Sequence, residues 1–472
     1  MTAPRVVEHL DPTERAAKGK AARAAVPRAS HEGWDPPTDR RSPVAVLQEQ
    51  AKTRVPDLIP IRHARMTASP FAFYRGAAAV MAADLSTTPD SGLRAQICGD
   101  AHLANFGGFA APDRTIVFDV NDFDETAPGP WEWDVKRLAA SFEIAARARE
   151  FDDRVRKRIV RRVVSSYRGA MRQLANTRNL DLWYTRLDEH DVFERFRDQL
   201  STAELKRFEK NLAKARAKDS VRAFAKLAEQ IDGDIKIVSD PPLIVPLEEL
   251  MPDVAAEKLR ELLRSSFRRY RRSLQPDRRH LVEEFAAVDV ARKVVGVGSV
   301  GTRCYVMLML GRDAGDPLFL QIKEAEASVL EPYVGKSAYP NHGQRVVEGQ
   351  RFMQAASDIF LGWDRLRHPE DKVERDFYVR QMWDGKFSPQ IEIMEPEVLG
   401  VFSEMCGSTL ARAHARSGDR IAIASYLGSG DTFDRAVSGF ADAYADQNQR
   451  DFEEVIAAVK AGVLEAHEEP AA

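Results

Sequence analysis

Residues 94–141 read RAQICGDAHLANFGGFAAPDRTIVFDVNDFDETAPGPWEWDVKRLAAS. Within this run, Gly99-Asp100-Ala101-His102-Leu103-Ala104-Asn105 sets a carboxylate and a carboxamide five positions apart. Asp119, Asp122 and Asp124 follow beyond a short apolar run. Phosphoryl transfer calls for such a set: one carboxylate accepts the proton of the attacking hydroxyl, and an Asn with a further Asp holds Mg2+ against the nucleotide phosphates. Asp100 is the candidate base, and Asn105 and Asp122 are the candidate metal ligands. Asp119 is the alternative metal residue, since its spacing from Asn105 also serves. The ordinary alternative for these acids is a helix or turn cap, and it weighs most on Asp119 and Asp124.

The local pattern agrees with a catalytic loop. Gly99, Gly107 and Gly108 bracket turns that demand permissive backbone. Ala95 to Cys98 is an apolar approach, and Thr115-Ile116-Val117-Phe118 predicts a buried strand with the acidic cluster at its carboxyl end. Pro128, Gly129 and Pro130 are expected to end this unit. Asp134 then starts a helix with Val135, Leu138, Ala139 and Phe142 on one side, and its carboxylate is expected to cap that helix and steady the loop behind it.

GDAHLANFG, followed by VNDFDE and WEWDVKRLAAS, resembles the bacterial domain-of-unknown-function family 2252, over most of the chain beyond the amino-terminal tail. More remotely it resembles the aminoglycoside phosphotransferase branch of the kinase-like fold. There a Gly-Asp-x-His-x-x-Asn loop is followed by an Ile-Asp-Phe/Trp segment and an Asp-Leu-Ala helix start. The remote resemblance implies an α+β fold of two lobes, a mostly helical large lobe and a small β-rich one, that uses ATP and Mg2+.

A second stretch bears on that expectation. Val294 to Ala325 reads VVGVGSVGTRCYVMLMLGRDAGDPLFLQIKEA, in which Gly296, Gly298 and Gly301 form a G-x-G-x-x-G. Dinucleotide-binding folds share the pattern, but their glycine loop opens a helix. Here Cys304 to Leu310 is strand-like, Gly311 to Pro317 supplies a turn, and Leu318 to Ile322 is a second strand ending at Lys323. A glycine-rich hairpin followed by a lysine is the phosphate-covering device of kinases, whose lysine is positioned by a helix glutamate. Glu348, in the helix-like run 343–354, is the candidate partner of Lys323, and Glu331 is its competitor. Phe377 to Met382 then predicts a strand running into a polar turn at Asp384-Gly385, where a kinase would offer backbone groups to adenine.

Composition sets outer limits. A chain of 472 residues, 44% hydrophobic and 30% charged, can build a large core in two lobes. The formal net charge of −3 argues against a global nucleic-acid role, and runs such as Arg154 to Arg158 and Arg268 to Arg272 are expected to be solvated helix faces. Arg62, Arg65 and Arg75 either line an anionic pocket or, as isolated charges more often do, are solvated or pair with nearby acids. The three cysteines, Cys98, Cys304 and Cys406, lack any paired spacing. No apolar run is long enough to span a membrane, and the charged amino terminus lacks the apolar core of a secretory signal, so a cytoplasmic protein is expected.

In chain order the expectation is a disordered or surface-wrapping tail over 1–45 and a helical large lobe with the catalytic and metal segments over 46–285. A small β-rich lobe follows over 286–395, and carboxyl-terminal helices over 396–472 pack on the large lobe. An ordinary kinase places its glycine loop, lysine and glutamate ahead of the catalytic loop, whereas this chain has them after it. The expected fold is therefore circularly permuted, which is tolerable because domain termini often lie close together. The expected activity is transfer of a phosphoryl group from ATP to a hydroxyl of a small molecule or protein acceptor. Two alternatives stand beside it: a kinase-like nucleotide-binding module without turnover, and a Mg2+-dependent phosphatase in which Asp122 of Asp122-Phe123-Asp124-Glu125-Thr126 is the nucleophile.

Overall fold

The computed structural model describes residues 9–467 apart from 218–219, 232, 253–255, 368–370 and 383–384. The architecture is mixed α+β. The amino-terminal segment is more regular than its composition suggests. It holds helix α1 (Pro12–Ala25), opened by a capping box in which Asp11 and Glu14 accept from each other's amides. Gly19 lets α1 close on the Ala422 carbonyl, which a Cβ would meet at 2.0 Å. Helices α2 (Pro43–Ala51) and α3 (Ile59–Met66) follow. After Ser69 the chain forms two short helices, α4 (Pro70–Gly76) and α5 (Ala78–Leu85). The break falls at Ala77, just past Gly76, whose missing Cβ leaves room for the Met66 side chain. Phe73, Ala77 and Val80 then join Val46, Leu47 and Met66 in one apolar cluster.

The acidic stretch forms four short strands, β1 (Arg94–Ile97), β2 (Phe106–Ala110), β3 (Ile116–Val120) and β4 (Ala127–Pro130). β2 and β3 are an antiparallel hairpin, and β4 pairs antiparallel with β1. The segment expected to end the unit at Pro128-Gly129-Pro130 is thus itself a strand. It is tolerated because β1 and β4 form a two-stranded ribbon, so a proline nitrogen can face outward without breaking a ladder on both sides. β3 runs two residues further than expected, which places Asp119 inside the strand and leaves Asp122 and Asp124 in the loop beyond it.

Helix α6 (Trp131–Ala148) follows β4 directly. It starts three residues before Asp134, so Asp134 is not its cap but sits within its first turns. Helix α7 (Asp153–Ala175) carries Ile159, Val160, Val163, Val164 and Tyr167 on its buried side. A short β5 (Leu187–Asp188) adds to the β2-β3 hairpin, and β6 (Ala228–Ile231) and β7 (Asp234–Ile237) form a separate hairpin.

Six antiparallel strands make the main sheet. They are β8 (Ile244–Pro246), β9 (Ala286–Lys293), β10 (Cys304–Leu310), β11 (Pro317–Ala325), β12 (Gly362–Arg367) and β13 (Glu374–Gln381), in the spatial order β12-β13-β11-β10-β9-β8. Between β8 and β9 lies α8 (Ala256–Arg272), and between β11 and β12 lies α9 (His342–Met353). Because β8 belongs to the sheet, the sheet begins about 40 residues before the boundary drawn at 286. Side chains alternate between two apolar layers: Met307, Met309, Leu318 and Leu320 enter one, and Val306, Leu308 and Phe319 the other. The same period puts Lys323 on the Phe319 side of β11 and Ile322 on the opposite side.

The remaining helices are α10 (Pro396–Ser417), α11 (Arg420–Leu427) and α12 (Thr432–Lys460). α12 runs unbroken through its whole length, because nothing between Tyr444 and Phe452 breaks a helix. Its polar middle is satisfied instead: Asp451 and Asp84 share the Arg40 guanidinium. α10 lies along α7 in the main core, where the Trp131 ring stacks on Tyr167 with centroids 5.5 Å apart. Among the described residues, no helix is long and apolar enough to cross a membrane.

Candidate active site

Two stretches far apart in sequence meet at one cavity of about 140 Å3, room for roughly five water molecules. Asp100, Asn105, Asp122 and Asp124 line it from the acidic stretch, and Gly296, Gly298 and Ser299 line it from the loop between β9 and β10. Gly296 and Gly301 hold that loop in left-handed backbone, with φ of 67° and 89°. Lys323 lies beside the cavity, its Nζ ion-paired with Asp124 across 199 residues of sequence. The Ser299 hydroxyl also reaches Asp124, at 3.5 Å. The glycine loop and the lysine are thereby joined to the acidic loop through one carboxylate.

The Asp100 side is held by α6. Arg137 donates through Nε to Asp100 Oδ1 at 2.7 Å and lies over the Tyr74 ring, 4.5 Å from its centroid. Burial raises the Asp100 carboxyl above its ordinary value, and Arg137 acts in the opposite sense. A carboxylate made more basic by burial and fixed by an arginine suits the part of a general base. The Asn105 side chain donates to the Asp100 carbonyl at 2.8 Å, which leaves its Oδ1 for a cation. Asp134, although not a cap, does steady the loop. Its two oxygens accept from the Cys98 and Gly99 amides at 2.8 and 2.9 Å, and His414 Nε2 lies 3.1 Å from it. His414 also meets the Tyr167 hydroxyl at 2.9 Å inside the core, so its role is structural.

Asp122 and Asp124 are pushed apart in acidity. Burial, and then the charge of Asp124, raise Asp122 above its ordinary value. Burial acts on Asp124 too, but Lys323 and the Tyr378 hydroxyl, which donates to it at 2.8 Å, hold it below its ordinary value. Lys323 is buried, yet Asp124, Tyr378 and Asp122 keep it firmly charged. Asp122 Oδ1 accepts from the Asp124 amide at 3.1 Å, and its Oδ2 makes no hydrogen bond among the described residues. Arg345 of α9 ties the loop down by donating to the Asp124 and Thr126 carbonyls at 2.7 and 2.8 Å. Gly349, an unfavourable residue in a helix, permits this approach, since a Cβ there would sit 2.3 Å from the Thr126 side chain.

Three expectations are corrected here. Glu348 does not meet Lys323; it pairs with Arg351 at 3.0 Å, one turn along the same helix. Glu331 faces His342 at 3.7 Å instead. The lysine's partner is Asp124, which sequence reasoning had left as a candidate cap, and the residue α9 sends to the site is Arg345 rather than a glutamate. Asp119, the alternative metal residue, is buried in an ion pair with Arg412 of α10 and does not line the cavity. Tyr378 and Arg380 were also missed. They are two positions apart on β13, and Tyr378 sits opposite Lys323 in the β11-β13 register. Period-two alternation past the lysine was the signal that could have found them.

Among the described residues, no three His, Cys, Asp or Glu side chains converge to cage a metal. Mg2+ does not require such a cage, because it is commonly held by one or two carboxylates together with substrate phosphates. The open Oδ2 of Asp122 and Oδ1 of Asn105 fit that mode. Asp384, half of the turn expected to meet adenine, lies outside the described residues. The basic runs are occupied with acids: Arg156 with Glu143, Lys157 with Asp153, Arg269 with Asp364 and Arg271 with Glu283.

The model of a family described as an uncharacterized protein conserved in bacteria, domain-of-unknown-function family 2252, matches residues 54–458. No curated protein and no solved structure matches.

Proposed function

The chain belongs to domain-of-unknown-function family 2252, whose description assigns no activity, and we propose from the cleft that it is an ATP- and Mg2+-dependent phosphotransferase acting on a hydroxyl group. The observation that carries this reading is the Lys323–Asp124 ion pair, with Ser299 of the glycine loop on the same carboxylate. Nucleotide-handling and acid-base parts are useful only together, and this contact joins them. The order of the sheet supports a circularly permuted kinase-like fold of two lobes. A glycine loop separates the first two strands of the β9-β10-β11 meander, the lysine lies on the third, and a helix follows. Kinases place their phosphate-binding parts in that sequence.

In this reading the glycine loop covers the nucleotide phosphates, and Lys323 exchanges Asp124 for a phosphate oxygen. Asp122 and Asn105 would hold Mg2+, which neutralises charge on those phosphates when bound. Asp100 receives the proton of the acceptor hydroxyl, and Arg137 keeps its carboxylate aimed. The phosphatase alternative loses support at Thr126. Its hydroxyl is fully buried, donates to the Ile97 carbonyl at 2.7 Å, and is absent from the cavity wall.

A thermal-shift series tests the nucleotide half. ATP with Mg2+ at about 100 times its dissociation constant contributes roughly 2.7 kcal/mol to the native state and raises the melting temperature. Lys323→Ala is expected to shrink that rise. Absence of any shift with millimolar ATP and Mg2+ in the wild type would refute the reading.

Acidification is expected to weaken Mg2+-dependent binding at a higher pH than an ordinary aspartate would dictate. The raised Asp122 takes up its proton early, and a protonated carboxyl is a poor metal ligand. The nucleotide titrates as well, so Asp122→Asn serves as the reference. The wild-type pH dependence should exceed that of the variant, and equal profiles would remove Asp122 from the metal site.

A further inference from the structure

Three arginines enter the cavity from the segment between α2 and α5: Arg54, Arg62 and Arg75. Arg62 is only 1% exposed. Its Nη2 donates to Gln50 Oε1 at 3.0 Å and the Gly76 carbonyl at 3.2 Å, while Nε and Nη1 are buried without a partner among the described residues. The Nε atoms of Arg54 and Arg75 are buried and unpartnered in the same sense. Among the described residues no carboxylate forms an ion pair with any of the three. Burial, and then the like charge of Arg54, press Arg62 well below its ordinary value. An arrangement of desolvated guanidinium groups with open donors is costly unless an anion completes it. Elsewhere the protein pairs such groups, as Arg412 with Asp119 and Arg40 with two aspartates.

Arg54 lies against the glycine loop, donating to the Val300 carbonyl, and the carboxylates acting most strongly on it are Glu326, Glu125, Asp124 and Glu324; Arg75 is placed differently. The charges acting most strongly on Lys323 are Asp124, Tyr378, Asp122 and Arg380, with none of these arginines among them. The carboxylate acting most strongly on Arg75 is Asp100, ahead of Glu392 and Asp122. Arg75 therefore lies on the side of the candidate base, where the acceptor hydroxyl must lie, and Arg62 adjoins it through the Gly76 carbonyl, whereas Arg54 belongs to the glycine-loop side. Arginine is also the side chain best matched to a phosphate group, through paired N–H donors.

We propose that Arg62 and Arg75 form the acceptor subsite and that the acceptor is a small hydroxylated molecule carrying a phosphate monoester. This rests on the phosphotransferase reading and extends it to substrate class. The acceptor's phosphate docks on these two arginines and its hydroxyl is presented to Asp100. The hydroxyl oxygen bonds to the γ-phosphorus, its proton passes to Asp100, and the bond from that phosphorus to the β–γ bridging oxygen breaks. ADP leaves and the product carries two phosphate groups. A cationic acceptor, such as an amino sugar, would meet like charge here.

The test is calorimetric titration of the full-length protein with inorganic phosphate, alone and with Mg2+ and the imido analogue of ATP already bound. Phosphate is expected to bind the wild type with a millimolar dissociation constant, about −4 kcal/mol, and to bind equally with the analogue present. Arg75→Gln should weaken it by about tenfold or more, the scale of a lost charge-assisted hydrogen bond. Arg75 is the primary variant because it is less buried than Arg62 and its replacement is less disruptive to folding. Arg75→Lys should recover part of the affinity, and an unchanged melting temperature certifies both. Failure of the wild type to bind phosphate, unchanged affinity in Arg75→Gln, or displacement of phosphate by the analogue overturns the acceptor subsite. Binding of the Mg2+–analogue complex without phosphate binding overturns it while sparing the phosphotransferase reading. Phosphate binding with no nucleotide binding overturns that reading and the acceptor assignment together.

Discussion

Asp100→Asn is expected to lower turnover by about 10²- to 10⁴-fold while leaving Mg·ATP affinity close to that of the wild type. The substitution preserves shape and still accepts from Arg137, so the loop should keep its geometry, but the amide cannot take the hydroxyl proton. Asp122→Asn is expected to fail differently. It removes a charge from the candidate metal site, so Mg2+-dependent nucleotide affinity should fall together with turnover. Until an acceptor is in hand, slow Mg2+-dependent hydrolysis of ATP provides the assay, with water taking the place of the hydroxyl. Equal loss of nucleotide affinity in both variants would contradict the division of roles. Unchanged turnover in Asp100→Asn would remove that residue from the mechanism.

The largest effect on stability is expected from Arg412→Met. Arg412 and Asp119 are each almost wholly buried, and removing the arginine strands a carboxylate in the core between β3 and α10. Breaking a buried pair in this way costs about 3–5 kcal/mol. The midpoint of urea denaturation should fall accordingly, and Asp119→Asn placed on the same background should restore part of the loss by removing the stranded charge. Asp119→Asn alone should leave Mg·ATP affinity of the folded protein unchanged, because Asp119 does not line the cavity. A loss of metal-dependent binding comparable to that of Asp122→Asn would make Asp119 the metal residue after all.

What could be read from the sequence was local. The glycine hairpin and its lysine were legible because a turn-rich loop between two apolar runs has few other solutions, and β10 and β11 form almost at the limits their residues predict. Asp100, Asn105 and Asp122 were legible because their spacing matches chemistry, and all three line the cavity. What escaped was set by tertiary contact. Glu348 was favoured from helix position alone, but the face of α9 that meets the acidic loop is chosen by Gly349 against Thr126, and that face presents Arg345. Asp124 looks like a turn residue until Lys323 arrives from 199 positions away. Proline at β4 argued against a strand, and only pairing with β1 reveals that the ribbon has free edges. The amino-terminal helix was hidden for the same reason, since its weak apolar pattern is completed by packing on residues near Ala422.

The central claim is that one cleft binds nucleotide through Lys323 and the glycine loop and holds its metal through Asp122 and Asn105. Calorimetric titration of the purified chain with ATP, with and without Mg2+, tests it most directly. The account predicts binding that tightens when Mg2+ is present, with the Mg2+-dependent gain lost in Asp122→Asn and the affinity itself weakened in Lys323→Ala. Absence of ATP binding under both conditions, or binding that neither Mg2+ nor these two substitutions alter, would contradict it.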